Sequence, residues 1–263
     1  MADIMCFYQD LKNLQVPQQV SQKFNYGEAL IKLHNTYKQF NTGQFTWITD
    51  HQTRHLSNIH LPYEVKSYDL DGATLMENVC IANINAIRRR PGRYVLCGAD
   101  HLINGNIDKL FKARHRFDLG IMMIKGRVNN TIILINTGYD GLRSNQHQYV
   151  EDFFQRRYEV FKTLDYDQKH WGGDQYAITK LLHEEGVLPE PRKRKVRTYS
   201  AMGLQIRLFD YNTCGITGVS KSGPAFDDAA CFIDFKGPKR KRYFDQIYTY
   251  ITLKGDQAPA SIV

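Results

Sequence analysis

The chain has 263 residues, 42% hydrophobic and 24% charged, with a formal net charge of +8 at pH 7. A chain of that length buries roughly three quarters of its unfolded surface, and the composition excludes disordered, collagen-like and fibrous classes. No apolar run approaches the ~18 residues of a membrane span, and Met1 to Asp10 lacks the basic n-region of a secretory leader.

In chain order, Ile4 to Tyr8 reads as a strand and Gly27 to Phe40 as a helix with Leu30, Leu33, Tyr37 and Phe40 near one face. Phe45 to Thr49 is a second strand ending at Asp50, and Glu64 to Tyr68 a third. Leu75 to Arg89 is helical and closes at Pro91-Gly92. Tyr94 to Cys97 is a short apolar strand that stops at Gly98-Ala99-Asp100. Leu119 to Ile124 and Thr131 to Ile135 are strands flanking a Lys125-Gly126 turn, and Asn145 to Leu164 and Asp174 to Glu185 are helices. Gly186 to Arg197, with Pro189 and Pro191, is the one linker-like stretch. This alternation predicts an α/β fold with a mostly parallel sheet flanked by helices, one domain over residues 1–263. Five scattered cysteines (Cys6, Cys80, Cys97, Cys214, Cys231) with no C-x-x-C pair predict neither zinc site nor disulfide framework. A reducing, cytoplasmic location is expected, the host cytoplasm if the source is viral.

In such sheets ligands sit at the carboxyl ends of strands, so polar residues that end strands are the candidates. Asp100 follows an apolar strand, where a carboxylate can hold a divalent ion against a diphosphate. Ile132 to Gly141 runs from a strand into Asn136-Thr137-Gly138. Gly172-Gly173-Asp174-Gln175 opens a helix, with Asp174 suited to an N-cap. Cys231 to Lys241 runs from a strand into Asp234, Lys236, Gly237 and a basic loop. Each stretch alone is also what a turn, a cap or a surface lysine looks like.

Their order resembles the GT-A glycosyltransferases, in particular the branch of glycogenin-like and bacterial galactosyltransferase-like retaining enzymes. The resemblance spans Ile4 to Lys241 and implies a nucleotide-sugar-binding half (1–125) and an acceptor-side half (126–263). It implies a UDP-sugar donor and Mn²⁺ or Mg²⁺. Asp100 matches the last acid of the family's D-x-D motif, but Gly98 stands where the first would be. Asp234 matches the histidine of the family's H-x-K-G, which leaves Asp100 and Asp234 as the metal-binding pair, with His101 as an alternative ligand. Tyr8 and Gln9 match the base and ribose contacts, and Lys236 and Gly237 those of the diphosphate. Asn136, Asp174 and Gln175 match residues near the transferred sugar, Asp174 being the base if the enzyme inverts.

The positive charge is concentrated. Arg192, Lys193, Arg194, Lys195 and Arg197 form one cluster, and Lys236, Lys239, Arg240, Lys241 and Arg242 another. Such clusters attract phosphate, though a solvated loop face or a localisation-type signal has the same composition. Some viruses of bacteria glycosylate hydroxymethylated pyrimidines in their own DNA, and the family resemblance with this charge points to double-stranded DNA as acceptor. Arg192 to Arg197 and Lys239 to Arg242 would hold phosphates, with Arg88, Arg89, Arg90 and Arg93 extending the track. A glycolipid or other glycan acceptor, served by the aromatic and basic stretch Lys239 to Ile251, is the alternative, as is a non-catalytic nucleic-acid-binding protein.

Overall fold

The computed structural model describes residues 1–9, 24–56, 63–88, 90–112, 116–124, 127–137, 146–170, 172–187, 197–210, 216–235 and 238–256. The first half builds β1 (Asp3–Phe7), α1 (Tyr26–Phe40), β2 (Phe45–Asp50), α2 (His51–Leu56), β3 (Glu64–Tyr68), α3 (Leu75–Ile87), β4 (Gly92–Gly98) and β5 (His101–Ile103). A 3-10 turn over Ile107–Phe111 leads to β6 (Leu119–Ile124) and β7 (Arg127–Thr137). Then come α4 (Gln146–Lys162), α5 (Tyr166–His170) and α6 (Gly173–Glu184). β8 (Arg197–Ala201), β9 (Leu204–Asp210), β10 (Ile216–Gly218), β11 (Phe232–Asp234), α7 (Pro238–Lys241) and α8 (Phe244–Asp256) complete the described chain.

The large sheet has the order β3-β2-β1-β4-β7-β6-β9-β8. β1 is parallel to both β2 and β4, β2 to β3, and β6 to β9. β7 runs antiparallel to β4 and β6, and β8 antiparallel to β9. The sheet is thus mostly parallel, with β7 and β8 reversed. Both faces are covered, because alternate residues of each strand point to opposite sides. Val95 and Cys97 of β4 join Leu30, Leu33 and Tyr37 of α1 on one face. Tyr94 and Leu96 join Ala82 and Ala86 of α3, Phe153 and Phe154 of α4, and Ile178, Leu181 and Leu182 of α6 on the other.

Helix starts follow their sequence signals. Asn25 accepts the Glu28 N–H at 3.1 Å to cap α1. Thr74 accepts the Glu77 N–H at 3.1 Å while the Glu77 carboxylate accepts the Ala73 N–H at 2.9 Å, a capping arrangement at the start of α3.

A small sheet, β10-β11-β5, stands beside the large one, with β5 antiparallel to β11. Its outer side is covered by α8, whose Phe244, Ile247 and Ile251 are buried with Ala29 of α1 and Phe235. The stretch Lys239 to Ile251 assigned to a glycolipid acceptor thus buries Phe244, Ile247 and Ile251 inside the fold, while Lys239, Arg242 and Tyr250 are exposed. No helix among the described residues is long and apolar enough to cross a membrane.

Candidate functional site

β1 and β4 lie side by side, with Phe7 in register with Gly98. Tyr8 and Gln9 therefore leave the sheet next to Ala99 and Asp100, at the carboxyl ends of parallel strands. The chain then enters β5, which places His101 opposite Asp234 of β11. The Phe235 N–H donates to the Asp100 carbonyl at 3.1 Å, so backbone pairing alone brings together two acids far apart in the chain.

The imidazole of His101 approaches both acids. Its Nδ1 donates to the Gly98 carbonyl at 2.9 Å and is 3.6 Å from Asp100 Oδ1. Nε2 faces Asp234 Oδ1 at 3.8 Å and is buried without a hydrogen-bond partner among the described residues. His101 and Asp234 are fully buried, whereas 18% of the Asp100 side chain is exposed. A Cβ at Gly98 would stand 3.2 Å from Asp100 Oδ1 and 4.0 Å from His101 Cε1. A side chain at 98 would be tight against the Asp100 carboxylate, which would have to give by a few tenths of an ångström, and in ordinary contact with the ring.

Lys241, at the end of α7, turns inward. Its ammonium is 3.6 Å from Asp100 Oδ2, donates to the Tyr26 hydroxyl, and lies 4.2 Å above the Tyr26 ring and 4.7 Å above that of Phe24. Burial pushes its pKa down, opposed by Asp100 and Asp234. Burial, then the Asp100 charge, pushes the Tyr26 hydroxyl up. Tyr8 stacks between Tyr26 at 6.4 Å and Trp47 at 6.1 Å, and the Trp47 indole N–H donates to the Tyr8 carbonyl at 3.1 Å. Gln9 is buried and accepts from Asn78 of α3 at 3.0 Å.

This arrangement does not fit the expected divalent-ion site. Mg²⁺-like ions need converging oxygens at about 2.0–2.1 Å, but the acids face opposite nitrogens of one imidazole, and an ammonium already neutralises Asp100. Among the described residues, no three His, Cys, Asp or Glu are grouped to hold a metal ion.

Asp174 does not cap its helix. Gly172, at φ +78°, occupies the cap position, and Asp174 is the second residue of α6. Its carboxylate is buried and faces Arg157 Nη2 at 3.4 Å. Both groups act on the thiol of Cys80, which burial above all pushes to about 12. Cys80 lies in α3 two residues after Asn78, the partner of Gln9. Asp174 thus sits in the helical layer with Arg157 and Cys80. Gln175 follows it, half-buried.

Asn136 is not there. It pairs in register with Arg93 near the amino end of β4, because β7 runs antiparallel to β4. Arg93 Nε donates to Asn136 Oδ1 at 3.0 Å, and Asn136 Nδ2 to the Phe117 carbonyl at 2.8 Å. From Arg93 to Asp100 the strand spans about 20 Å. We expect Asn136→Ala to leave turnover within about twofold and to lower the melting temperature by a few degrees, since two partly buried hydrogen bonds are worth ~1 kcal/mol each. Paired kinetic and thermal measurements check it. Arg90, bonded to Asp3 and Gln44, and Arg93 share that far end and do not extend a cationic track to the site.

Of the other assigned cations, Arg192 to Lys195, Arg89 and Lys236 lie outside the described residues, as does Gly237, and Arg197 opens β8. Lys239 is exposed, Arg240 half-buried, and the exposed Arg242 donates to the Lys221 carbonyl at 3.2 Å. Sequence reasoning missed Phe24, Tyr26, Asn78 and Arg157 and assigned Lys241 outward.

No protein-family model matches the chain, and no characterised protein matches it in sequence. Glycosyltransferases are among the solved structures to which it is similar. One, involved in glycosylation of the major capsid of PBCV-1, is 11% identical over 93% of this chain and 100% of its own, with a TM-score of 0.48. HddC from Yersinia pseudotuberculosis is 10% identical over 94% of this chain and 100% of its own, TM-score 0.48. Mouse xyloside xylosyltransferase 1 is 10% identical over 71% of this chain and 83% of its own, TM-score 0.42.

Proposed function

We propose that this chain is a glycosyltransferase that moves a sugar from a UDP-sugar to an acceptor hydroxyl. The observation that carries the reading is the convergence of Asp100, Asp234 and Lys241 at the carboxyl ends of β1 and β4. The ordered motifs of the sequence support the same donor. Tyr8, within its row of rings, offers an aromatic face to the nucleobase. A fixed positive charge at the strand ends stabilises the negative charge that develops on a departing diphosphate. Asp174 is buried against Arg157 rather than open to an acceptor, which favours a retaining course in which the leaving phosphate oxygen takes the acceptor proton.

The test is release of UDP from a panel of UDP-sugars, with and without acceptor. Asp100→Ala is expected to abolish release with the fold intact by circular dichroism. Unchanged release in that variant would place the reaction elsewhere.

For the acceptor, the exposed Lys239 and Arg242 favour a polyanion, and we propose a 5-hydroxymethylated pyrimidine in double-stranded DNA. Lys241 is withdrawn from that surface. DNA affinity should fall steeply between about 50 and 200 mM salt. A flat salt response, with sugar appearing on glycolipid instead, would overturn this acceptor.

A further inference from the structure

Two carboxylates close together, one fully buried and one nearly so, need a compensating cation, because an uncompensated charge in a water-poor site is strongly disfavoured. Here that cation is part of the chain. The Lys241 ammonium faces Asp100 Oδ2 at 3.6 Å, is bonded to the Tyr26 hydroxyl, and lies over the faces of Tyr26 and Phe24 at 4.2 and 4.7 Å. The rings favour a cation electrostatically and restrict where the long side chain can place it. On the far side of Asp100, the His101 ring sets a nitrogen against each acid, at 3.6 Å from Asp100 Oδ1 and 3.8 Å from Asp234 Oδ1, so each carboxylate already faces a protein nitrogen.

We infer that the Lys241 ammonium takes the place of a divalent ion at this site and is the charge that meets the donor diphosphate. An ammonium has three N–H donors. The Tyr26 hydroxyl takes one and Asp100 faces a second, which leaves the third for a phosphate oxygen. The side chain is 11% exposed and the Asp100 side chain 18%, so the charge is held but open at one edge. Asp234 and His101, both fully buried, act behind it as positioning groups. The inference rests on the nucleotide-sugar reading and sharpens it: the chain should bind its nucleotide without any metal.

The experiment is a calorimetric titration of the whole chain with UDP, GDP, CDP and ADP, in EDTA and again in millimolar Mn²⁺. The expected result is one preferred nucleotide whose dissociation constant differs less than threefold between the two buffers. Lys241→Met should weaken that binding at least tenfold in EDTA, and Lys241→Arg should recover most of it. The wild-type arms decide even if Lys241→Met fails to fold. Binding that is at least tenfold weaker in EDTA would overturn the role of Lys241 and leave the donor reading standing. Binding of no nucleoside diphosphate in either buffer would overturn both.

Discussion

Asp234→Asn should lower sugar transfer about a hundredfold or more and leave the melting temperature unchanged or higher. The size follows from positioning: a misplacement of about 1 Å in a group that meets the substrate can cost about 10² in rate. Asp234 is fully buried, so it does not touch a substrate in this arrangement. It fixes the other groups instead, pairing through β11 with His101 and contributing to the field on Lys241. Asparagine keeps the shape and removes the charge, so Lys241 is left with Asp100 alone. The stability half of the expectation rests on His101 Nε2, which is buried 3.8 Å from Asp234 Oδ1 with no hydrogen-bond partner among the described residues. An amide placed there supplies a donor after a shift of a few tenths of an ångström. Satisfying a buried polar atom is worth ~1–3 kcal/mol, enough to offset the lost ion pairing. Turnover assays and a thermal melt on the same variant separate the two effects. Turnover within threefold of the unsubstituted chain would remove Asp234 from the machinery.

How much of this site could be read from the sequence depends on the range of each signal. The strand that delivers Asp100 is a run of apolar residues stopped by a glycine and an acid, and the structure carries it as β4 from Gly92 to Gly98. The helices over residues 26–40, 75–87, 146–162 and 173–184 likewise follow local periodicity. The reversal of β7 is different in kind, because an apolar strand has the same composition in either direction. A signal for it is nonetheless present: the few residues around Lys125-Gly126 that separate the two apolar runs are too few for a parallel crossover, which needs a dozen residues or more. So short a connection makes the two strands antiparallel neighbours, and with β6 parallel to the sheet that direction carries Asn136 to the far end. The apolar side of α8 was legible too, since Phe244, Ile247 and Ile251 recur at helical spacing. Lys241 was not. In a run of four cations nothing local marks which one turns inward, and its burial depends on Phe24 and Tyr26 from the opposite end of the chain.

The largest effect on stability should come from the buried pair in the helical layer. Arg157 is fully buried in α4, and its Nε, Nη1 and Nη2 find no hydrogen-bond partner among the described residues, nor does Asp174 Oδ1. The guanidinium is compensated by Asp174 at 3.4 Å and by the Phe154 ring at 5.7 Å. Removing one member of such a pair leaves a bare charge in the interior and costs ~3–5 kcal/mol, whereas replacing both with apolar groups of similar volume is often neutral or better. Arg157→Met and Asp174→Leu should therefore each lower the melting temperature by roughly 6–20 °C for a chain of this size. The double variant should return to the unsubstituted value or exceed it. If Asp174 also contacts the transferred sugar, the stable double variant remains inactive, which separates a role in transfer from a role in packing. A double variant as unstable as the sum of its parents would show that the two charges are not coupled. One that is both stable and fully active would assign the pair to packing alone, and leave transfer to Asp100, Asp234 and Lys241.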